Sequence, residues 1–432
     1  MLEVRHLSCQ RGTPEPGRPK EIELRPSQAQ CKKNQRTPPS PPAPSKLLPM
    51  QNSPLLPIHQ ERGARLAATP NGDVLLTYGD VPAEYKAATE AALVFDDGNR
   101  GRVHATGADA TDFLHRLLSN HVKRLDPGTP EAPGPGNANL LLTGKGKIVE
   151  QFELTPDGSG GYLLFTEPGR SASLISALDM YLFADDVVLT DQSEESVCFT
   201  LIGPTAAAVL QAVLGIEKLT VAAEFATELV PFGGKVLQII HHAYVGCDGF
   251  RIEGGPETAL ELWDALIAAG AMPGGLAIHD ILRVESCTGQ FGRDIDDTIY
   301  PQEARLENSF SLDKGCYIGQ EVVAKIDTYG GLNKRLMVLE VSHDDPIAPG
   351  TRLERYDEKR EQWRDLGVAT SWGYSFAQDG GCILAYVKRR HQDVGTEFRL
   401  GEAAEGTVPG GLDLRPTATV IEVCLGTPEP IE

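Results

Sequence analysis

From Arg102 onward the chain alternates short apolar strands with amphipathic helices, and that order restricts it to a layered α/β architecture. Arg102–Thr106 reads as a strand, followed by Gly107 and a helix starting near Asp109, with Phe113, Leu114, Leu117 and Leu118 on one face. After a loop rich in Pro and Gly, Asn139–Thr143 and Ile148–Leu154 read as a hairpin around Gly144-Lys145-Gly146, which is too short for a phosphate loop. A strand at Tyr162–Thr166, a helix near Ser173–Phe183 and a strand at Val187–Thr190 complete a split β-α-β unit of ferredoxin-like order with one extra strand. A second set follows: strand Val197–Ile202, helix Thr205–Leu214, strands near Lys235–Ile240 and Phe250–Glu253, and helix Glu257–Ala269. Beyond Lys334 helical periodicity fades. Leu336–Val341, Leu366–Ser371, Ile383–Val387 and Thr417–Val423 predict a small terminal β-barrel.

The fold class expected is therefore α+β: two α/β units and a barrel, in line with the roughly three domains that 432 residues suggest. Residues 1–55 lack apolar periodicity and carry the run Thr37-Pro38-Pro39-Ser40-Pro41-Pro42-Ala43-Pro44, so a disordered, proline-rich segment is expected there. Residues 56–330 are assigned to the two α/β units and 331–428 to the barrel.

The net charge is −20; the first fifty residues are +5, which leaves −25 on the rest. A body so acidic repels phosphate backbones, so general nucleic-acid binding is not expected. No run of eighteen apolar residues is present, so neither a membrane-spanning helix nor a membrane partner is expected. The eight cysteines, Cys9, Cys31, Cys198, Cys247, Cys287, Cys316, Cys382 and Cys424, form no CxxC and no metal-ligand spacing, so no intrinsic metal is expected and a reducing compartment is. No continuous apolar run marks a secretory signal. The N-terminal Arg and Lys are faintly like those of a transit peptide, but Glu3, Glu15, Glu21 and Glu23 break the pattern. Cytoplasm, for a bacterial protein, and mitochondrial or plastid matrix, for a eukaryotic one, both stay open.

The densest chemistry lies at Leu312-Asp313-Lys314-Gly315-Cys316-Tyr317-Ile318-Gly319-Gln320-Glu321, closed by Lys325. Gly315 and Gly319 allow tight turns on either side of a cysteine, and an ammonium two residues away favours thiolate over thiol. Cys316 is thus a candidate nucleophile with Lys314 as its activator. A buried cysteine in an ordinary glycine-rich turn is the alternative.

This segment resembles the signature of the YgfZ family, K-G-C-[FY]-x-G-Q-E-x-x-x-R, unbroken from Lys314 through Glu321, with Tyr317 at the aromatic position. Lys325 stands in place of the final arginine, which keeps the charge and loses the bidentate fork. Val94-Phe95-Asp96, Gly101-Arg102-Val103 and Gly107-Ala108-Asp109-Ala110 resemble the opening of the folate-binding domain of aminomethyltransferases. Tyr244-Val245-Gly246-Cys247-Asp248-Gly249-Phe250 resembles their Y-T-G-E-D-G-[FY] turn, and Asp280 to Glu285 with Gly292-Arg293-Asp294-Ile295 their later folate-site helix and loop. The resemblance runs from about Pro57 to about Val423. It implies a three-lobed ring around a tetrahydrofolate pocket, with Tyr244, Asp248, Arg283 and Glu285 as folate contacts. It also implies a monomer supporting [4Fe–4S] enzymes, tRNA-thiolating ones among them, through Cys316. Gln320 and Glu321 would fix the loop or contact an iron–sulfur client or carrier protein.

Two departures bear on activity. The glycine-cleavage enzymes carry a D-D pair on the hairpin; here the matching stretch is Lys147-Ile148-Val149-Glu150-Gln151-Phe152, where Glu150 could replace a carboxylate but would reach about one methylene further. The turn's pterin-holding glutamate is Cys247. Folate-dependent one-carbon transfer is therefore the alternative function, and a non-catalytic scaffold on the same fold a further one. Arg283 and Glu285 also read as an i,i+2 pair on different helix faces. His241-His242 read as one core and one surface histidine, Asn333-Lys334-Arg335 as a solvated linker, and Cys198 and Cys287 as packing residues.

Overall fold

A computed structural model of the protein describes residues 52–69, 72–98, 100–221, 223–403 and 416–424. The expected disorder before residue 52, with Cys9 and Cys31, lies outside the described residues. Within the described end of that segment Ser53 and Leu55 are buried, just before the short helix Leu56–Glu61.

The first sheet has five antiparallel strands in the order Val188–Asp191, Gly101–Thr106, Tyr162–Thr166, Ile148–Pro156, Asn137–Leu142. Helices Ala110–Leu117 and Ser171–Asp179 cover one face. Phe113, Leu114 and Leu117 meet Leu174 and Leu178 over Val103, Phe152 and Leu164, as the helical spacing of these residues requires.

The second sheet has six strands in the order Thr227–Phe232, Lys235–His241, Gly249–Gly254, Val197–Ile202, Leu93–Asp96, Met272–Gly274. Its helices Ala206–Leu214 and Ala259–Ala268 bury Leu210, Leu262 and Trp263 against Phe199, Leu237 and Ile252. The four-residue strand Leu93–Asp96, too short for its period to show, precedes the whole first sheet in sequence and yet belongs to the second, where it pairs in parallel with Met272–Gly274.

The terminal domain is a closed six-stranded barrel of strands Lys334–Val341, Gly380–Lys388, Gln362–Ser375, Thr351–Asp357, Glu397–Ala403 and Thr417–Val420. Lys334 and Arg335 therefore open a strand rather than a linker, and Arg335 pairs with Glu307 at 2.7 Å. A bulge after Ala369 turns Thr370 and Ser371 together toward Asp294, and both hydroxyls donate to its carboxylate. Helix Leu276–Glu285 lies against the barrel and is bolted to it by side-chain hydrogen bonds at Arg283 and Glu285. Helix Gln320–Tyr329 follows the cysteine motif and ends at the left-handed Gly330. No helix among the described residues is long and apolar enough to cross a membrane.

Candidate functional site

Two adjoining cavities of about 780 and 480 Å³ lie where the two sheets, helix Leu276–Glu285 and the segment 288–309 converge. They share Arg100, Glu167, Tyr244, His279 and Gln290, so they form one chamber with two lobes. Its volume is that of a pocket for a medium-sized organic ligand.

The hairpin strand Ile148–Pro156 enters the larger lobe with Gln151 and Glu153, which share a face because strand side chains alternate. Burial raises the Glu153 pKa, but Arg251, His242 and Arg100 outweigh it and hold the carboxyl well below its usual range. His241, His242, Tyr244 and Asp248 enter from the turn at the end of the second sheet. That turn is a two-residue hairpin, Tyr244 N–H to Cys247 O at 2.8 Å and Cys247 N–H to Tyr244 O at 2.9 Å. Both central residues are left-handed, Val245 at φ 45° and Gly246 at φ 81°. A β-branched residue is strained there, a cost more common at binding sites than elsewhere.

The partition between the lobes is a proton-bearing pair. Tyr244 Oη and His279 Nε2 are 2.9 Å apart. Burial lowers the His279 pKa and raises that of Tyr244, so both are neutral near pH 7. Asp248 accepts from His241 Nε2 at 2.7 Å, and this bond raises the histidine's pKa. Gln151 Oε1 and Arg100 Nε are buried with no hydrogen-bond partner among the described residues. Each is costly unless a ligand or water completes it. A flat heterocycle with donors and acceptors on its edges, such as a pterin, fits that set.

Of the residues expected to touch folate, Tyr244 and Asp248 line the chamber. Arg283 reaches its wall, but its guanidinium is engaged by Asp280 at 2.8 Å, Asp294 at 2.7 Å and Ser371 at 2.8 Å. Glu285 lines neither lobe and is fully buried against the barrel, where it accepts from Tyr85 Oη at 2.9 Å, Ser375 Oγ at 2.6 Å and Ala377 N at 3.1 Å. Glu150 also lies off the chamber, clasped by Arg170, and burial pushes its pKa up to about 7 against that pairing. Cys247 packs among Ala87, Phe95, Ile202 and Ile278 and lines neither lobe. His241 and His242 are both buried, contrary to the one-in, one-out expectation, because the chamber wall closes over the strand's second face. Cys198 and Cys287 are buried, as packing residues should be.

Cys316 is exposed and lies outside the chamber lining. Lys314 does not serve as its activator. Its ammonium is buried and donates to the backbone carbonyls of His115 at 2.7 Å, Leu118, and Asn120 at 2.9 Å. Burial pulls its pKa down to about 7, while the three carbonyls favour the charged form. Gly315 at φ 98° and Gly319 at φ 82° shape the loop. A Cβ on Gly319 would lie 2.6 Å from Thr143 O in the hairpin turn. Tyr317 is buried in the core shared with the barrel, and Glu321 pairs with Lys325 at 2.7 Å on the exposed helix face. Gln320 opens that helix. Glu153, His279 and Arg100 line the chamber without a local sequence signal that marks them.

Residues 55–314 match the family described as "GCVT N-terminal domain". An aminomethyltransferase of Chlorobium limicola is 29% identical over 318 residues, 72% of this chain and 85% of that protein. A protein of Arabidopsis thaliana named as a putative chloroplastic transferase is 27% identical over 323 residues, 74% of this chain and 71% of that one. The glycine cleavage system aminomethyltransferase T of Bartonella henselae has the same fold, with a TM-score of 0.73 at 22% identity, covering 87% of this chain and 98% of that one.

Proposed function

The chain belongs to the GCVT N-terminal domain family, and from that premise we propose that it binds a tetrahydrofolate in the two-lobed chamber and works on the one-carbon unit carried there. What carries this reading is the set of unpaired buried polar atoms on the larger lobe, Gln151 Oε1 and Arg100 Nε beside Tyr244 and Asp248. Bound folate would supply ring nitrogens that accept and release a one-carbon unit. The chain's own part is to orient the ring and move protons. Tyr244 and His279, both neutral and 2.9 Å apart, give the partition a hydroxyl and an imidazole that orient the ligand, and a proton the ligand delivers to Tyr244 would be matched by one leaving Tyr244 for His279. Glu153, locked between arginines and His242, fixes the charge of the wall. With Glu150 turned away, the hairpin carboxylate that meets the chamber is Glu153.

The names of the relatives favour transfer of the aminomethyl or a similar one-carbon group. The test is calorimetry of the full chain with formyltetrahydrofolate, followed by turnover with tetrahydrofolate and an aminomethyl donor. Binding abolished by His241→Ala and Gln151→Ala supports the site; no binding to the wild type ends the reading.

A second reading is favoured by one observation. Cys316 is exposed on a loop fixed on both sides, which suits a thiol that meets another protein. On this reading the chain is a YgfZ-type accessory of [4Fe–4S] enzymes, including tRNA-modifying ones, with folate ordering the ring. Folate binding without turnover, together with client enzyme activity lost in cells carrying Cys316→Ala, selects it over transfer. Client activity unaffected by that substitution removes it.

A further inference from the structure

The chamber wall and the exposed cysteine are parts of one continuous segment. Leu306, Asn308 and Ser309 line the larger lobe, and the chain then runs through Ser311 and Lys314 to Cys316. Along this run it is fastened to the residues that follow helix Ala110–Leu117. Ser119 Oγ donates to Ser309 O at 2.6 Å, Asn120 Nδ2 to Asn308 O at 3.0 Å, and Ser311 N to Ser119 O at 2.9 Å. Lys314 closes the row, its three protons matched to three carbonyls at and just past the end of that helix. Orphan carbonyls and the negative end of the helix dipole make this a natural seat for an ammonium. The next residue, Gly315, is left-handed and meets nothing within 4 Å of an added Cβ, and past the exposed Cys316 the chain is held again by Tyr317, buried in the core shared with the barrel.

We infer that Lys314 is a positioning residue, a clasp that sets how Cys316 is presented and ties its exposure to the occupancy of the folate chamber. The coupling rests on the folate reading above; the positioning does not. A ligand against Asn308 and Ser309 acts on the same row of bonds that Lys314 terminates, so it favours one arrangement of the row over another. Cys316, exposed between Lys314 and the buried Tyr317, then reports that preference. With Lys314 unable to donate, the cysteine loop moves independently of the chamber, and ligand binding no longer reaches it.

The experiment is the rate of alkylation of the full chain by iodoacetamide, read by mass spectrometry at each cysteine, with and without saturating formyltetrahydrofolate. Partly buried Cys424 and buried Cys198 serve as internal controls for loosening and unfolding. Without ligand, Lys314→Met changes the Cys316 rate severalfold and leaves Cys424 and Cys198 at wild-type rates. With ligand, the wild-type Cys316 rate changes by about fivefold or more, and the Lys314→Met rate does not change although calorimetry shows the ligand bound. Asn120→Ala, which removes the bond to Asn308 along with those to Ala138 O and from the His121 N–H, is the second variant should Lys314→Met unfold, and it reduces the ligand response in part. An unchanged Cys316 rate in ligand-free Lys314→Met overturns the positioning role. Bound folate that leaves the wild-type rate unmoved, or moves both proteins equally, overturns the coupling. Absence of folate binding overturns the proposed function instead, and the ligand-free comparison still decides the positioning role.

Discussion

Glu285 distinguishes a ligand from a pillar more sharply than any other position. Its carboxylate is buried, accepts three hydrogen bonds, and meets no cation among the described residues. Each bond to a charged acceptor contributes about 1.5–3 kcal/mol, against about 0.5–1.5 for a neutral pair. Glu285→Gln keeps the shape and weakens all three bonds. Relief from burying a charge offsets part of that loss, leaving a cost of about 1–2 kcal/mol. Glu285→Ala strands the Ala377 N–H and two hydroxyls and opens a cavity. Orphaned donors at about 1–3 kcal/mol each, with hydroxyls free to turn, bring the cost to about 4–6 kcal/mol. Tyr85→Phe removes one donor and falls near the glutamine variant. Urea unfolding gives the stabilities, and calorimetry with formyltetrahydrofolate on the same preparations gives the affinities. The expected order of stability is wild type, then Gln, then Ala, with the Gln variant binding folate within about threefold of wild type. A Gln variant with an unchanged urea midpoint and folate affinity down by about thirtyfold or more would refute the assignment and return Glu285 to the site.

The remaining predictions concern neighbouring elements. Cys247→Glu places a carboxylate among Ala87, Phe95, Ile202 and Ile278, so it lowers the stability measured by urea unfolding by about 3 kcal/mol or more without strengthening folate binding; tighter binding in calorimetry contradicts this. Gly319→Ala combines φ 82° with a Cβ 2.6 Å from Thr143 O and costs about 2–4 kcal/mol; unaltered denaturation shows that the hairpin turn yields. Burial raises the Glu150 pKa from 4.5 to about 7 against Arg170, so between those values the native state binds more protons than the unfolded chain. Stability from this group therefore falls as pH rises from 4.5 to 7. Glu150→Gln flattens the thermal midpoint over that range, and an unchanged slope assigns it to other groups.

Much of the architecture was legible because dense apolar runs leave few choices. Tyr162–Thr166 and Val197–Ile202 are buried along their whole length, and their bounds coincide with the expected strands. Leu93–Asp96 was not legible, since four residues carry too little period and the pairing that makes them a strand is supplied by residues far along the chain. The site divides in the same way. The turn Tyr244–Cys247 and the cysteine loop are local and could be placed. The roles of Lys314, Glu150 and Glu285 depend on partners about 20 to 200 residues away. Burial of both His241 and His242 follows from a chamber formed only when the sheets meet, which strand alternation alone does not anticipate.

The placement of Leu93–Asp96 has a consequence during synthesis. When this strand leaves the ribosome, its first neighbour, Val197–Ile202, is still about 100 residues from being made, and the parallel neighbour Met272–Gly274 further still. At roughly 5–20 residues per second, the wait for the first neighbour is on the order of 5–20 s. Throughout it Leu93, Val94 and Phe95 are exposed while the first sheet assembles directly downstream. The nascent protein thus carries a sticky apolar stub with both flanks unfilled, a natural landing point for a holdase chaperone. It also means that cutting the chain between the two sheets yields no autonomous second half: a fragment beginning at Val197 lacks the strand that covers its edge, and recovers it only by recombining with the piece that holds it.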